Sequence, residues 1–408
     1  MSMPHSAESA RERGRAVLFD NYARFPLRPV RGEGTYVYDE AGRKYLDFTS
    51  GIGVLSLGHV PDAVAARLKR QLATLWHTSN VFESPLQEAV AARLVRASFA
   101  DRVLFVNSGT EANEAAIKLV RRYARDVRGI EGGTIVAFER SFHGRTMGAL
   151  SATGQPALHD GFGPMLPGFR FLPYNDTASL QAIDAGTIAV ILELVQGEGG
   201  VTPADESWVQ ALVARARAHQ ALIVVDEVQT GMGRTGTLFA YQQYGFEPDV
   251  MTLAKGLGSG FPIGALLAKE AVARVFTPGT HGSTFGGGAL AMAAAEAVLT
   301  IIDDPAFLAH VRQKGEALLG GLRSLASGHP DVGVRGRGLL LGLSFPEGAR
   351  RYVDLLREEG VLVLTAGTNV MRILPPLTVS DEEIAAFLDA LDRVLQKRAA
   401  EKARPGER

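Results

Sequence analysis

The sequence predicts an α/β fold: a large domain around a mainly parallel β-sheet, followed after about residue 300 by a smaller α+β domain. Three observations carry that prediction. Short β-branched runs alternate with helical patterns, the runs are apolar from end to end, and the texture of the chain changes near residue 300. Strands covered on both faces need no polar side, so unbroken apolar runs point to a sheet flanked by helices rather than to a half-wet one.

The strand candidates, in order, are RVLFVN (102–107), TIVAF (134–138), IAVILE (188–193), ALIVVD (221–226), DVMTLA (249–254) and PIGALLA (262–268). After the first of them Ala112, Ala116, Leu119 and Tyr123 keep helical spacing, so a helix follows that strand. Beyond residue 300 come VGVRGRGLLLGLSF, VLVLT and VMRIL, the material of the smaller domain. Ser380 and Glu383 then form an S-x-x-E capping box, and Ile384, Phe387, Leu388, Leu391 and Val394 fall on one helical face. The tail AAEKARPGER is polar and is expected to fray. The division that follows is a segment 1–60 packing with the small domain, a large domain 61–300 and a small domain 301–408.

Composition narrows the chemistry. Forty-three basic residues against 44 acidic ones leave a net charge of -1, so no long-range field recruits nucleic acid or an anionic membrane. Small molecules or a second copy of the chain are the expected partners. The 408 residues contain no cysteine, which excludes disulfides, thiolate metal sites, iron-sulfur clusters and a cysteine nucleophile; no metal is expected. MSMPHSAESARERGRAVLF has no apolar stretch fit for a secretory signal, and TIAVIL, closed by Glu193, falls far short of the ~20 residues of a membrane span. A cytoplasmic location is expected.

Gly231, Gly233 and Gly236 match the G-x-G-x-x-G spacing of a dinucleotide-binding turn. Such a motif must follow its strand directly and open a helix, whereas here four residues separate Asp226 from the first glycine. The segment TGMGRTG is instead expected to be a flexible turn near a dimer interface. What stands at the strand end is more informative. Asp226 closes one apolar strand, and Lys255, between Ala254 and Gly256, follows the next. Taken singly, the first is an ordinary cap and the second a solvated charge. Together they suggest pyridoxal phosphate, which needs an amine for a Schiff base and a carboxylate for its ring nitrogen. Ser108, Gly109 and Thr110 open the helix of NSGTEANEAAIKL, either as a plain capped start or as a seat for a phosphate.

The motifs NSGTEANEAAIKL, SFHGRT, VQGEGGV, DEVQTGMGRTG, LAKGLGSGFPIG, GSTFGG and VMRILPPLT, in this order, resemble those of the class III pyridoxal-phosphate aminotransferases. LDFTSGIGVLSLGH and HTSN near the start agree, so the likeness runs from about residue 20 to 396 and is nearest to the acetylornithine branch of arginine biosynthesis. The resemblance implies an aspartate-aminotransferase-like architecture, fold type I of the pyridoxal-phosphate enzymes. It makes Lys255 the Schiff-base lysine and proton carrier, and Asp226 the partner of the pyridinium nitrogen. Val228 and Phe142 would cover the two ring faces and Gln229 would bond the phenolic oxygen. Ser108, Gly109, Thr110 and Glu227 complete the cofactor set of one subunit, and Thr284 would reach the phosphate of its neighbour in a homodimer with shared sites.

For substrates the resemblance assigns Arg145, Glu198, Ser283 and Arg372. Arg145 would hold the α-carboxylate of an ornithine-type donor, while Glu198 masks Arg372 until 2-oxoglutarate arrives and both arginines grip its carboxylates. Ile52 stands where ornithine aminotransferases carry tyrosine, which favours a donor with a blocked α-amine, or with none. N-acetylornithine is expected first, with 4-aminobutyrate, succinylornithine or another ω-amino donor behind it and a decarboxylase or aminomutase further still. Leu194 departs from the family's usual proline and puts the placing of the Glu198 loop in question.

Overall fold

The computed structural model describes residues 17–402. Most of the N-terminal stretch read for a targeting signal, and the end of the polar tail, lie outside the described residues. Strands β1 (Pro29–Glu33), β2 (Tyr36–Asp39) and β3 (Lys44–Asp47) form an antiparallel meander at the start. Then come β4 (Arg102–Val106), β5 (Thr134–Phe138), β6 (Phe169–Leu172) and β7 (Thr187–Leu192). A short ribbon of β8 (Val195–Gln196) and β9 (Thr202–Pro203) precedes β10 (Leu222–Asp226), β11 (Val250–Leu253) and β12 (Gly264–Ala268).

Seven of these strands make one sheet in the order β4-β12-β11-β10-β7-β5-β6. Only β12 runs against its neighbours, β11 and β4; the other pairs are parallel. Every residue of β7, β10, β11 and β12 is buried, which is why these runs carry no in-out alternation. Strand β6 left no such trace. It is an edge strand, FRFL, with only Leu172 buried, and its arginine breaks the apolar run.

The helix Gly109–Arg128 follows β4. Ser108 caps it by accepting a hydrogen bond from Glu111 N at 3.3 Å, and Gly129, with φ 66°, ends it as Ile130 N bonds back to Ala124 O at 2.9 Å. Because β10 and β11 are parallel neighbours pairing Asp226 with Thr252, the end of β10 and the turn after β11 open on one edge of the sheet. The helix start after β4 opens there as well, and Asp226, Lys255 and Gly109 converge.

The rest of the chain adds β13 (Gly333–Arg337), β14 (Leu340–Ser344), β15 (Val361–Leu362), β16 (Leu364–Ala366) and β17 (Val370–Ile373). Four of them form an antiparallel sheet in the order β13-β14-β17-β16, while β15 pairs in parallel with β3. The run VLVLT is therefore divided between two sheets at Val363, which ties the N-terminal strands to the C-terminal part. Phe48 stacks on Phe387 at 4.7 Å across the same junction. The last helix, Asp381–Lys402, starts at the expected capping box: Ser380 Oγ accepts from Glu383 N (3.2 Å) and Glu383 Oε2 from Ser380 N (2.9 Å). Residues 399–402, expected to fray, continue this helix.

The segment TGMGRTG corrects the expectation of a flexible turn. All seven residues are buried. A Cβ on Gly233 would come 3.0 Å from Ile302 Cγ2 and one on Gly236 2.7 Å from Arg312 Cγ, so the glycines let two helices approach. Arg234, 1% exposed, donates through Nη1 to the carbonyls of Leu339 (3.0 Å) and Pro375 (2.5 Å). Among the described residues no helix is long and apolar enough to cross a membrane.

Candidate active site

The convergent sheet edge borders a cavity of about 410 Å³ lined by Ser108, Gly109, Thr110, Phe142, Arg145, Glu198, Asp226, Val228, Gln229 and Lys255, among others. A hollow of about 500 Å³ beside Arg121, Arg122 and Phe276 gathers cations that are already engaged. Arg122 pairs with Asp126, and Arg121 donates to the Pro167 carbonyl. The chemistry lies in the first cavity.

Asp226 is 3% exposed and accepts three hydrogen bonds, which leaves acceptor capacity on Oδ1. Its Oδ1 accepts from Val228 N at 3.0 Å, and its Oδ2 from Asn113 Nδ2 at 2.8 Å and His143 Nδ1 at 2.7 Å. A carboxylate can only accept, so His143 carries its proton on Nδ1. Burial opposes charge on that imidazole, but the bond to Asp226 and its negative charge leave the pKa above the usual histidine value. Asn113 is held in turn by Thr252 Oγ1 at 2.9 Å. Four elements thus fix one carboxylate.

Lys255 enters the cavity from a tight turn in which its φ is 38°. Desolvation lowers its amine pKa, an effect that neighbouring Glu198 opposes and Arg372 reinforces. A lowered pKa enlarges the neutral, nucleophilic fraction. Opposite, a Cβ on Gly109 would lie 2.8 Å from Val228 Cγ1, so the helix start presses against the side chain expected under the ring. Thr110 Oγ1 accepts from Arg145 N at 3.2 Å, linking the expected phosphate seat to the expected carboxylate clamp. The Arg145 guanidinium lies 5.5 Å from the centre of the Phe142 ring and is exposed at the cavity mouth.

Arg372, on β17, is 2% exposed and donates through Nη1 to Glu198 Oε1 at 2.6 Å and to Gln229 Oε1 at 3.3 Å. Its Nε is buried without a partner. Leu194, wholly buried, gives its carbonyl to Ala204 N (2.9 Å) and Tyr244 OH (3.2 Å). The Glu198 loop beyond it reaches Arg372 all the same.

Three of the expected residues stand apart from the cavity. The Glu227 side chain turns away from the expected cofactor contact into the core, where it accepts from Thr230 Oγ1 (2.6 Å) and Tyr241 N (2.8 Å); burial pushes its carboxyl up to about 7. Ser283 does not line the cavity; its Oγ accepts from Nδ2 of Asn107, which does, at 3.1 Å. Thr284 is exposed in a small separate hollow with His77 and Asn80. Ile52 sits 42% exposed in a turn where Ser50, Gly51, Ile52 and Gly53 all have positive φ, an unusual state for a β-branched residue. Asn113, His143 and Glu193 were not singled out from the sequence, although each lies inside or beside a motif that was. Glu193 is buried, and desolvation raises its carboxyl to about 7.

These residues fit pyridoxal phosphate. A desolvated lysine, a buried carboxylate held by neutral donors and by an imidazole, and a glycine-started helix form the cradle. The buried Nε of Arg372 and Nε2 of His143 are polar atoms without partners, as a site built for a ligand would leave. Fold and site together define a pyridoxal-phosphate enzyme of fold type I.

The comparisons narrow that class. The sequence matches the aminotransferase class-III family over residues 19–395. It is 49% identical to an acetylornithine aminotransferase of Oceanobacillus iheyensis over 93% of this chain and 96% of that one. It superposes with a TM-score of 0.93 and 31% identity on an ornithine aminotransferase from Toxoplasma gondii, covering 99% and 100% of the two chains; that structure reports partial occupancy of PLP at its active site. An N-acetylornithine aminotransferase from Stenotrophomonas maltophilia gives a TM-score of 0.81 at 38% identity, covering 93% and 98%. The chain belongs to the class-III aminotransferases and is a pyridoxal-phosphate-dependent transaminase.

Proposed function

We propose that this transaminase moves the terminal amino group of N2-acetyl-L-ornithine to 2-oxoglutarate, as an acetylornithine aminotransferase of arginine biosynthesis. The observation that carries the reading is the 2.6 Å pair between Glu198 and buried Arg372 in the cavity that holds Lys255 and Asp226. A pocket serving a donor with one carboxylate and then an acceptor with two needs a cation that can be masked and released. The relatives named for acetylornithine, and Ile52 in place of a tyrosine, support the donor.

Pyridoxal phosphate, when bound, supplies an electron sink conjugated to the substrate's amine carbon. Lys255 holds it and carries the proton to and from that carbon. Asp226, fixed by three donors, keeps the ring nitrogen protonated. Gly109 and Thr110 seat the phosphate at the helix start. Phe142 and Val228 close over the ring faces and exclude water, and Gln229 takes the phenolic oxygen. Arg145 grips the donor's α-carboxylate so that its far amine reaches Lys255. When 2-oxoglutarate follows, Glu198 swings off Arg372, which takes the α-carboxylate while Arg145 takes the other.

A homodimer in the cytoplasm completes the proposal. Phe82 and Phe285 are 67% and 66% exposed beside Thr284, an apolar face that a second copy would cover as Thr284 reaches its neighbour's phosphate. The test is a single-turnover screen that follows the cofactor from its aldehyde to its amine form with N-acetylornithine, ornithine, 4-aminobutyrate and succinylornithine. N-acetylornithine should react with the highest efficiency, and a faster reaction with 4-aminobutyrate would overturn the donor assignment.

A further inference from the structure

Glu193 stands directly after β7 and is 7% exposed. Its two carboxyl oxygens serve two different loops. Oε2 accepts from Phe142 N at 3.0 Å, and Oε1 from Gly197 N at 3.3 Å. Its own carbonyl accepts from Tyr174 OH at 2.7 Å, so its backbone is held as well. The base of the loop beyond it is pinned by the β8–β9 ribbon and by Gln196 Nε2 on the Glu139 carbonyl at 2.9 Å. Past Gly197 the character changes: Glu198 is flanked by Gly197, Gly199 and Gly200, the last with φ 100°. Gly197 also touches the other side of the pair, since a Cβ there would lie 2.0 Å from Gln229 Oε1, the atom that accepts from Arg372.

We infer that Glu193 is a positioning residue that sets the hinge of the Glu198 loop at Gly197 while holding the backbone of Phe142. Release of Arg372 is then a rotation beyond Gly197, and the side chain expected against the cofactor ring stays in place during it. One carboxylate joins the ring-face contact to the changeover between substrates. The inference rests on the proposed exchange of Glu198 for 2-oxoglutarate at Arg372.

The test measures the two half-reactions separately in wild type and Glu193→Gln, above the carboxyl's pKa of about 7. A glutamine presents only one acceptor oxygen, so one of the two amide bonds is lost at nearly constant shape. The expected result is a split. The 2-oxoglutarate half-reaction should lose efficiency, chiefly through KM, by roughly tenfold more than the N-acetylornithine half-reaction, the size of one lost charge-assisted hydrogen bond. In a Glu198→Ala background, where no glutamate has to swing, adding Glu193→Gln should leave the 2-oxoglutarate KM where it was. Equal loss in both half-reactions, no loss in either, or an unchanged effect in the Glu198→Ala background would overturn the inference. Should Glu193→Gln not fold, Glu193→Asp, too short to span both amides, is judged by the same split. A wild type that transaminates neither substrate contradicts the function itself and is thereby distinguished.

Discussion

Asp226 and Lys255 could be picked out from sequence because their chemistry is tied to position: each closes a buried strand, and neighbouring parallel strands end on one edge. Glu227 shows where such reading stops. It adjoins Asp226 in the same motif, yet the chain turn sends its carboxyl to Thr230 and Tyr241 instead of to the cavity, and no sequence pattern encodes that direction. His143, Asn113 and Glu193 act on Asp226 or Phe142 across 83, 113 and 51 positions of chain, so nothing local announces them. At this scale the sharpest expectation is for Lys255→Ala. The purified variant should lack the visible absorption of linked cofactor and show no transamination. Retained absorption that still responds to amines would remove Lys255 from its role.

Elements that bury both faces were the most legible: β10 lies within its expected run, and β7 starts only one residue ahead of its own. Strand β6 and the division of VLVLT were not, because an edge strand carries a mixed pattern and sheet membership depends on partners distant in sequence. The glycines of TGMGRTG mark close helix packing where flexibility was expected, since spacing alone does not report what a missing Cβ would strike. Gly109 makes the same point inside the site. Gly109→Ala would place a methyl group 2.8 Å from Val228 Cγ1. Overpacking there should weaken cofactor binding by about tenfold to a hundredfold, measured by titrating pyridoxal phosphate into the cofactor-free variant. An affinity equal to wild type would contradict the close packing.

For the molecule as a whole, stability should carry the mark of its buried carboxyls. Glu227 has its pKa raised from 4.5 to about 7, chiefly by desolvation, so the folded state binds this proton more tightly than the unfolded chain. Its contribution to stability is full below 4.5 and is lost as pH rises through about 7. In Glu227→Gln the amide oxygen can still accept from Tyr241 N and the amide can donate to the Thr230 hydroxyl, without titrating. Across that window the variant should gain on wild type by roughly 3 kcal/mol in denaturant melts, and a difference constant with pH would reject the assignment.

Fold does not choose the donor: ornithine and acetylornithine aminotransferases both superpose closely on this chain. On the proposed function the choice lies with Arg145, Ile52 and the Glu198–Arg372 pair, which would let a single pocket take two carboxylic substrates in turn. The most direct measurement loads the enzyme with N-acetylornithine alone, removes all free donor and product, and then adds 2-oxoglutarate alone. One glutamate per active site, with the cofactor returned to its aldehyde form, is the predicted result. Glutamate formed only when both substrates are present together would contradict it.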